Sequence, residues 1–228
     1  MTSTVRCLSG SKSGMTMSSY AMVDSAILIR CYLLYFIIPL WLVAGLADYL
    51  LHRQTKIEDT SGIKESLLHA VQLGETGIAI AAGLLFEINA LILLVMLVAL
   101  VVHDATALWD TKYAIHRRYV GALEQHVHSF LELLPLMAVS FVIILHWPQF
   151  LALAGLGSES PRFDLQFKST PLPVSYLVPL SIAVVSFAVL PYAEELWRCA
   201  KQDRARELVE QEQSVLRTSD GSLSDGLT

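Results

Sequence analysis

The sequence predicts an all-α integral membrane protein, a helical bundle with about five transmembrane helices. Three observations carry that reading. Of its 228 residues, 54% are hydrophobic and only 16% are charged, where a soluble domain carries about 25% charge. The apolar residues gather into runs of about 20, enough for a helix to cross a bilayer. The segment from Gly62 to Lys112 would be roughly 75 Å long as one helix, more than twice a bilayer core, so it must fold back on itself.

The elements follow in order. Residues 1–24, rich in Ser, Thr and Met, read as a flexible leader. The first span covers about Ile27 to Leu51 and contains Pro39, tolerated in a membrane helix as a kink. Ala44-Gly45-Leu46-Ala47 loosely resembles a signal-peptidase site, but the run is longer than a signal core and its basic flank is weak, which favours a retained span. The second span starts after Thr60-Ser61-Gly62, plausible capping chemistry, and ends near Phe86, with a turn expected around Gly83–Asn89. The third runs from about Ile88 to Ala107 and the fourth from about Glu124 to Leu145. A Pro/Gly/Ser-rich loop over 147–171 leads to the fifth, about Leu172 to Tyr192. The bundle is assigned to residues 25–198. Residues 199–228 form a charged tail, briefly helical and then disordered.

Lysine and arginine set the orientation. Arg53, Lys56, Lys64, Lys112, Arg117, Arg118, Arg198, Lys201, Arg204 and Arg206 fall on one side of the five spans. The other side has only Arg6, Lys12, Arg162 and Lys168 in its connections. This places the N-terminus outside and the C-terminus in the cytoplasm, in a bacterial inner membrane. The formal charge of −5 leaves no basic patch for nucleic acid. The three cysteines include no C-x-x-C, so neither a disulfide framework nor a zinc knuckle is indicated.

The polar residues inside the spans carry the chemistry. Asp48 and His52 close the first span, and Glu65 and His69 open the second. His103, Asp104 and Asp110 close the third; Glu124, His128 and Glu132 open the fourth. Glu194 and Glu195 close the fifth. Six of the seven histidines therefore share one end of the bundle, His146 being the exception. Asp48/His52, Glu65/His69 and Glu124/His128 are each spaced i, i+4, and His103/Asp110 i, i+7, so each pair shares a helix face. Charged groups inside a membrane span are costly and generally functional. Buried carboxylates beside neutral imidazoles call for a shared proton or a cation. Two divalent metal ions would meet that need, as in helix-bundle di-iron proteins; the donor set suits iron first, then manganese or zinc. The expected ligands are Asp48, His52, Glu65, His69, His103, Asp110, Glu124 and His128. Glu132 is expected to act catalytically, as a ligand or proton carrier. His116 and His126 stay open between ligand and interfacial residue.

The arrangement resembles the histidine-rich membrane-bound di-iron hydroxylases and desaturases over residues 48–132. Those enzymes carry H-x-x-x-H and H-x-x-H-H boxes. Here the first histidine of each box is Asp48, Glu65 or Glu124, and the one close histidine pair is His126-x-His128. The resemblance implies oxygen-dependent oxidation of a lipid-like or alkyl substrate drawn from the lipid bilayer. It also implies an external electron donor, since the chain has no flavin or nicotinamide fingerprint. Two other readings stand beside it: a haem b electron-transfer protein, and a proton or metal-ion conduit or structural membrane protein.

Overall fold

The computed structural model describes residues 17–224. The expected leader falls largely outside the described residues, the first helix starting at Met17. The described residues form helices and connections, with no strand beyond a single bridge between Phe86 and Phe167. Five helices are long and apolar enough to cross a membrane: Ser25–Thr55, Ile63–Leu85, Ala90–Ile115, Ala122–Leu145 and Val174–Ser214. Their outer faces carry exposed Leu28, Val43, Ile78, Val101, Ile144 and Ile182, while many of the fully buried side chains are polar. That inversion of the usual soluble pattern suits a lipid surround.

Proline shapes two of the spans. In the first, a π-helical turn over Leu33–Ile37 comes immediately before Pro39. A wide turn of this kind absorbs the backbone donor that proline lacks, so the span bends without breaking. In the fifth, a π-helical turn over Val185–Val189 ends two residues before Pro191, the same offset, with Pro179 earlier in the helix. The first span ends on Lys56 in the left-handed conformation, φ 51°.

The second and third spans form an antiparallel hairpin. Its tight connection is closed by Asn89, whose side chain accepts from the Ile92 amide at 3.1 Å and so caps the third helix. The 147–171 segment holds a short helix, Trp147–Leu153, then folds back over this connection. Glu87 N donates to Gln166 O and Lys168 N to Leu85 O, each at 2.9 Å. Two apolar clusters fill this half of the bundle, around Leu93 and Met96 and around Ile37 and Trp41.

The last helix continues past Trp197 through the charged tail to Ser224. The stretch from Lys201 to Gln213 is dominated by Lys, Arg, Glu, Gln, Ala and Leu, all strong helix formers. Its start is tied to the connection after the first span, where Arg198 pairs with Glu58 and Gln202 donates to Asp59 at 3.0 Å. Gly62, at φ +68°, presses close to this helix, and a Cβ there would lie 3.1 Å from Asp203.

At the opposite end, burial and the positive charges of Arg30 and Lys168 push His146 down to about 4, from an ordinary value of 6.5. The folded protein therefore favours the neutral ring. Stability from this site is fully present above pH 6.5 and lost as the pH falls toward 4, because the unfolded chain takes up the proton first. His146→Gln should flatten the fall in melting temperature between pH 7 and 4.5. Parallel wild-type and variant curves over that interval would show that His146 has no part in it.

Candidate metal centre

Each of the five spans brings polar side chains to one level of the bundle. The first supplies Asp48 and His52, the second Glu65 and His69, the third Asp110, the fourth Glu124 and His128, and the fifth Tyr192 and Glu195. All the carboxylates among these are at most 4% exposed. The i, i+4 spacing puts each helix's pair on its inward face, and the partners are then found mostly on other helices.

Glu195 organises the centre. Its Oε2 lies 3.2 Å from His52 Nδ1 and its Oε1 2.9 Å from His69 Nδ1. The two imidazoles stack almost parallel, with ring centroids 4.5 Å apart. A carboxylate only accepts, so both Nδ1 atoms carry hydrogen, and each ring, when neutral, presents an Nε2 lone pair. Those lone pairs meet further acceptors. His69 Nε2 lies 3.1 Å from Asp110 Oδ2. His52 Nε2 lies 3.1 Å from Glu124 Oε1, 3.5 Å from Asp48 Oδ1 and 4.0 Å from Glu65 Oε1. Acceptor facing acceptor is repulsive unless a proton or a cation lies between them.

His128 completes this side, with Nε2 2.9 Å from Asp48 Oδ1. Neither Asp48 Oδ1 nor His52 Nε2 has an aligned hydrogen-bond partner, so these atoms converge without bonding one another. Asp48 Oδ2 is held separately by the Tyr192 hydroxyl at 3.3 Å. Gln72 donates to Asp110 Oδ2 at 3.3 Å.

Arg118, from the connection between the third and fourth spans, reaches into the centre. Its Nη1 donates to Glu124 Oε2 at 2.9 Å, its Nε to Glu65 Oε2 at 3.2 Å and its Nη2 to Glu65 Oε1 at 2.5 Å. Nη2 also bonds Glu124 Oε1. Burial works against the guanidinium charge, but the hydrogen-bonded Glu124 and Glu65 outweigh it and hold its pKa above the ordinary value. Asp48, Glu65, Asp110, Glu124 and Glu195 are five buried carboxylates set against one guanidinium and three imidazoles, so the charges balance only where protons or cations are taken up.

Four ligand groups emerge, each with donor atoms within 4.8 Å of one another: Asp48/His52/His128, His52/His69/Glu195, His52/Glu65/Glu124 and Glu65/His69/Asp110. These residues can hold a metal ion. Metal–ligand bonds of about 2.1 Å at right angles put neighbouring donors roughly 3 Å apart, close to the 2.9 to 3.1 Å separations here. Glu65 belongs to two of the groups, and His52 to three. A carboxylate has about four acceptor directions, so Glu65 can serve a cation and Arg118 together.

Seven of the eight ligands expected from the sequence meet in these groups. His103 does not. Its Nδ1 lies 3.3 Å from Thr76 Oγ1 and 3.6 Å from Glu75 Oε2, one step further into the bundle, because it precedes Asp110 by two helical turns. Glu132 is exposed and lines the rim of the neighbouring cavity. His126 is exposed and stacks edge-on against Phe130; exposed His116 contacts the backbone oxygen of Lys112. Two residues with large roles, Glu195 and Arg118, were not among the expected ligands. Glu195 closes the fifth span at the level of the other acids, and that depth was the signal available for it. Nothing in the sequence marked Arg118 apart from its neighbour Arg117.

Fold and site together define a helical protein with five potential membrane spans and a buried histidine–carboxylate cluster able to hold metal. Comparison with protein families, with characterised proteins and with solved structures finds no match.

Proposed function

We propose that this protein is a membrane-embedded oxidoreductase that holds two divalent metal ions, iron by preference, and uses dioxygen to oxidise an apolar, lipid-like substrate. The observation that carries the reading is the convergence of buried acceptors. With the three imidazoles neutral, as metal ligation requires, five buried carboxylates and one guanidinium leave four negative charges, which two divalent cations would neutralise in a place where uncompensated charge is costly. His69, Asp110 and Glu65 would hold one ion. His52, His128, Asp48 and Glu124 would hold the other, with Glu65 shared. Imidazole and carboxylate donors suit iron, with manganese and zinc next.

Bound iron would supply oxygen activation. In hydroxylation, a C–H bond, one dioxygen, two electrons and two protons give an alcohol and one water, the electrons coming from an external donor. The chain's own residues do the rest. Glu195 fixes both imidazole tautomers, as outer partners of metal-bound histidines do. Tyr192 orients Asp48, and Glu132 at the cavity rim passes protons from water. The small cavity beside the cluster combines ligand side chains with apolar Trp41, Leu42, Leu73, Leu131 and Ala188, which gives the reacting end of an apolar molecule a place to approach. The Lys/Arg distribution supports a cytoplasmic position for the cluster in a bacterial inner membrane.

The other readings have less support. Stacked His52 and His69 cannot face each other across one haem. A conduit needs a polar path onward, and the opposite half of the bundle is closed by the cluster around Leu93 and Met96. Elemental analysis of detergent-purified protein tests the proposal. Wild type should carry about two iron or manganese ions per chain, the two charges each balancing the excess, and His69→Ala and His128→Ala should each lose metal. Wild-type protein that binds none after anaerobic loading sinks it.

A further inference from the structure

Two cavities adjoin one another along the bundle, and the boundary between them is polar. The first, beside the cluster, measures about 50 Å³, and the second, toward the middle of the spans, about 60 Å³. They share Trp41, Thr76 and His103. Each has several times the roughly 10–15 Å³ that one water needs, and a buried water also needs two to four polar partners. The partners are present. Glu75 and Thr76 line the second cavity beside His103, and Glu75 Oε2 and His103 Nε2 are buried without a hydrogen-bond partner. His69, Gln72 and Asp110 line the first, where Asp110 Oδ1 is likewise buried and unpartnered.

Glu75 and His103 lie within a residue of the midpoints of their spans, Ile63–Leu85 and Ala90–Ile115. An ionised side chain is costliest at that depth. Among the described residues, no lysine or arginine lines either cavity. The hydrogen bonds around Glu75 point the same way. The Thr106 hydroxyl lies 2.9 Å from Glu75 Oε1 and 2.9 Å from Val102 O, the carbonyl one turn back on its own helix. A hydroxyl has one hydrogen, and a carbonyl only accepts. With that hydrogen on Val102 O, the contact to Glu75 is completed by a hydrogen that Glu75 itself carries. Glu75 Oε2 is then left 3.6 Å from His103 Nδ1, and Thr76 Oγ1 lies 3.3 Å from the same nitrogen.

We propose that Glu75 is a proton store for the metal centre, a neutral carboxylic acid in mid-membrane joined to the cluster through His103 and water in the two cavities. The inference rests on the oxidative chemistry proposed above, which takes up two protons for each substrate molecule hydroxylated. When the reaction takes up a proton, water beside Asp110 delivers it. His103 replaces that proton from one ring nitrogen and recovers one at the other from water beside Glu75, which is left as a carboxylate. Reloading runs the same path in reverse from Glu132, at the rim of the first cavity. Beyond Glu75 the second cavity is walled by Ile37, Ile80, Met96 and Leu100, so the branch is a dead end and no proton crosses the membrane. His103 therefore serves the centre through other groups, without ligating metal.

Infrared spectroscopy of the metal-free protein tests this with neither substrate nor metal. At neutral pH the wild type should show a carboxylic-acid carbonyl band that Glu75→Gln removes. Thr106→Val should displace the same band, since valine keeps the shape but ends the hydrogen bond. Difference spectra cancel whatever the cluster carboxylates contribute. On transfer to D₂O the band should shift as its proton exchanges. In His103→Phe and in His103→Gln that exchange should slow roughly tenfold or more, because it must then wait for local opening of the bundle. A bundle merely loosened by the substitution would exchange faster, the opposite change. Identical spectra for wild type, Glu75→Gln and Thr106→Val would mean that Glu75 is ionised and paired with a charged His103, which overturns the proposal. Exchange as fast as wild type, or faster, in both His103 variants overturns it too. Failure of the metal reading would appear instead as absence of bound metal in elemental analysis, with this band and its exchange intact.

Discussion

Replacing Arg118 by methionine is expected to destabilise the metal-free protein by about 3–5 kcal/mol, the usual effect of removing one partner from a buried ion pair. Arg118 is 3% exposed at its side chain and bonds Glu65 and Glu124, both almost wholly buried. Its loss would leave two carboxylates together without a cation. For a chain of this size that is a fall in melting temperature on the order of 10 °C. Arg118→Lys should fall between, since an ammonium keeps the charge but cannot reproduce the fork to two carboxylates. Adding Glu124→Gln to Arg118→Met should recover part of the loss, because it removes one of the unpaired charges. Loading with iron or manganese should recover more, since the freed oxygens are proposed metal ligands. Arg118→Met protein that melts within 2 °C of wild type would show the guanidinium to be incidental. A full loss with no recovery on metal would mark Glu65 and Glu124 as ion-pair groups alone.

The reach of Arg118 into the centre illustrates what the sequence could and could not convey. The spans were legible because their signal is length and apolarity, both local properties, and all five begin within about two residues of where they were expected. The inward faces were legible too, since Asp48/His52, Glu65/His69 and Glu124/His128 repeat one spacing at one depth. The partnerships were not. Asp48 approaches His52 at 3.5 Å within its own helix, but it meets His128 at 2.9 Å. His69 turns to Asp110 and Glu195, and Glu124 to His52 and Arg118. Helical periodicity gives the face of one helix and says nothing about the rotation of the next. His103 shows the same limit: it shares a face with Asp110, yet two turns place it beyond the cluster. The length of the tail's helix was not legible for a different reason. Ser, Asp and Gly at its end drew attention from the helix-forming stretch before them, whose first turns are anchored on the connection after the first span.

Glu195→Gln is the substitution expected to act most strongly on the centre itself. The carboxylate accepts from the Nδ1–H groups of His52 and His69 at once, from a position that is 0% exposed. A primary amide offers one oxygen and one nitrogen. Its NH₂ would face one of the two Nδ1 atoms as donor against donor, driving that ring to flip or to move its proton to Nε2. A proton on Nε2 removes the lone pair that a metal needs. Loss of such an outer partner commonly costs 10- to 100-fold in metal affinity. The amide oxygen still accepts from the other ring, so one of the two proposed ions should weaken by about that factor and the other by less. Glu195→Asp retains the charge but shortens the reach, and should restore one ion more than the other. Unequal weakening, read by chelator competition, would separate this positioning role from simple unfolding, which releases both ions together. Unaltered affinity for both ions in a folded Glu195→Gln protein would mean that His52 and His69 do not ligate through Nε2, and the dimetal assignment would fall with them.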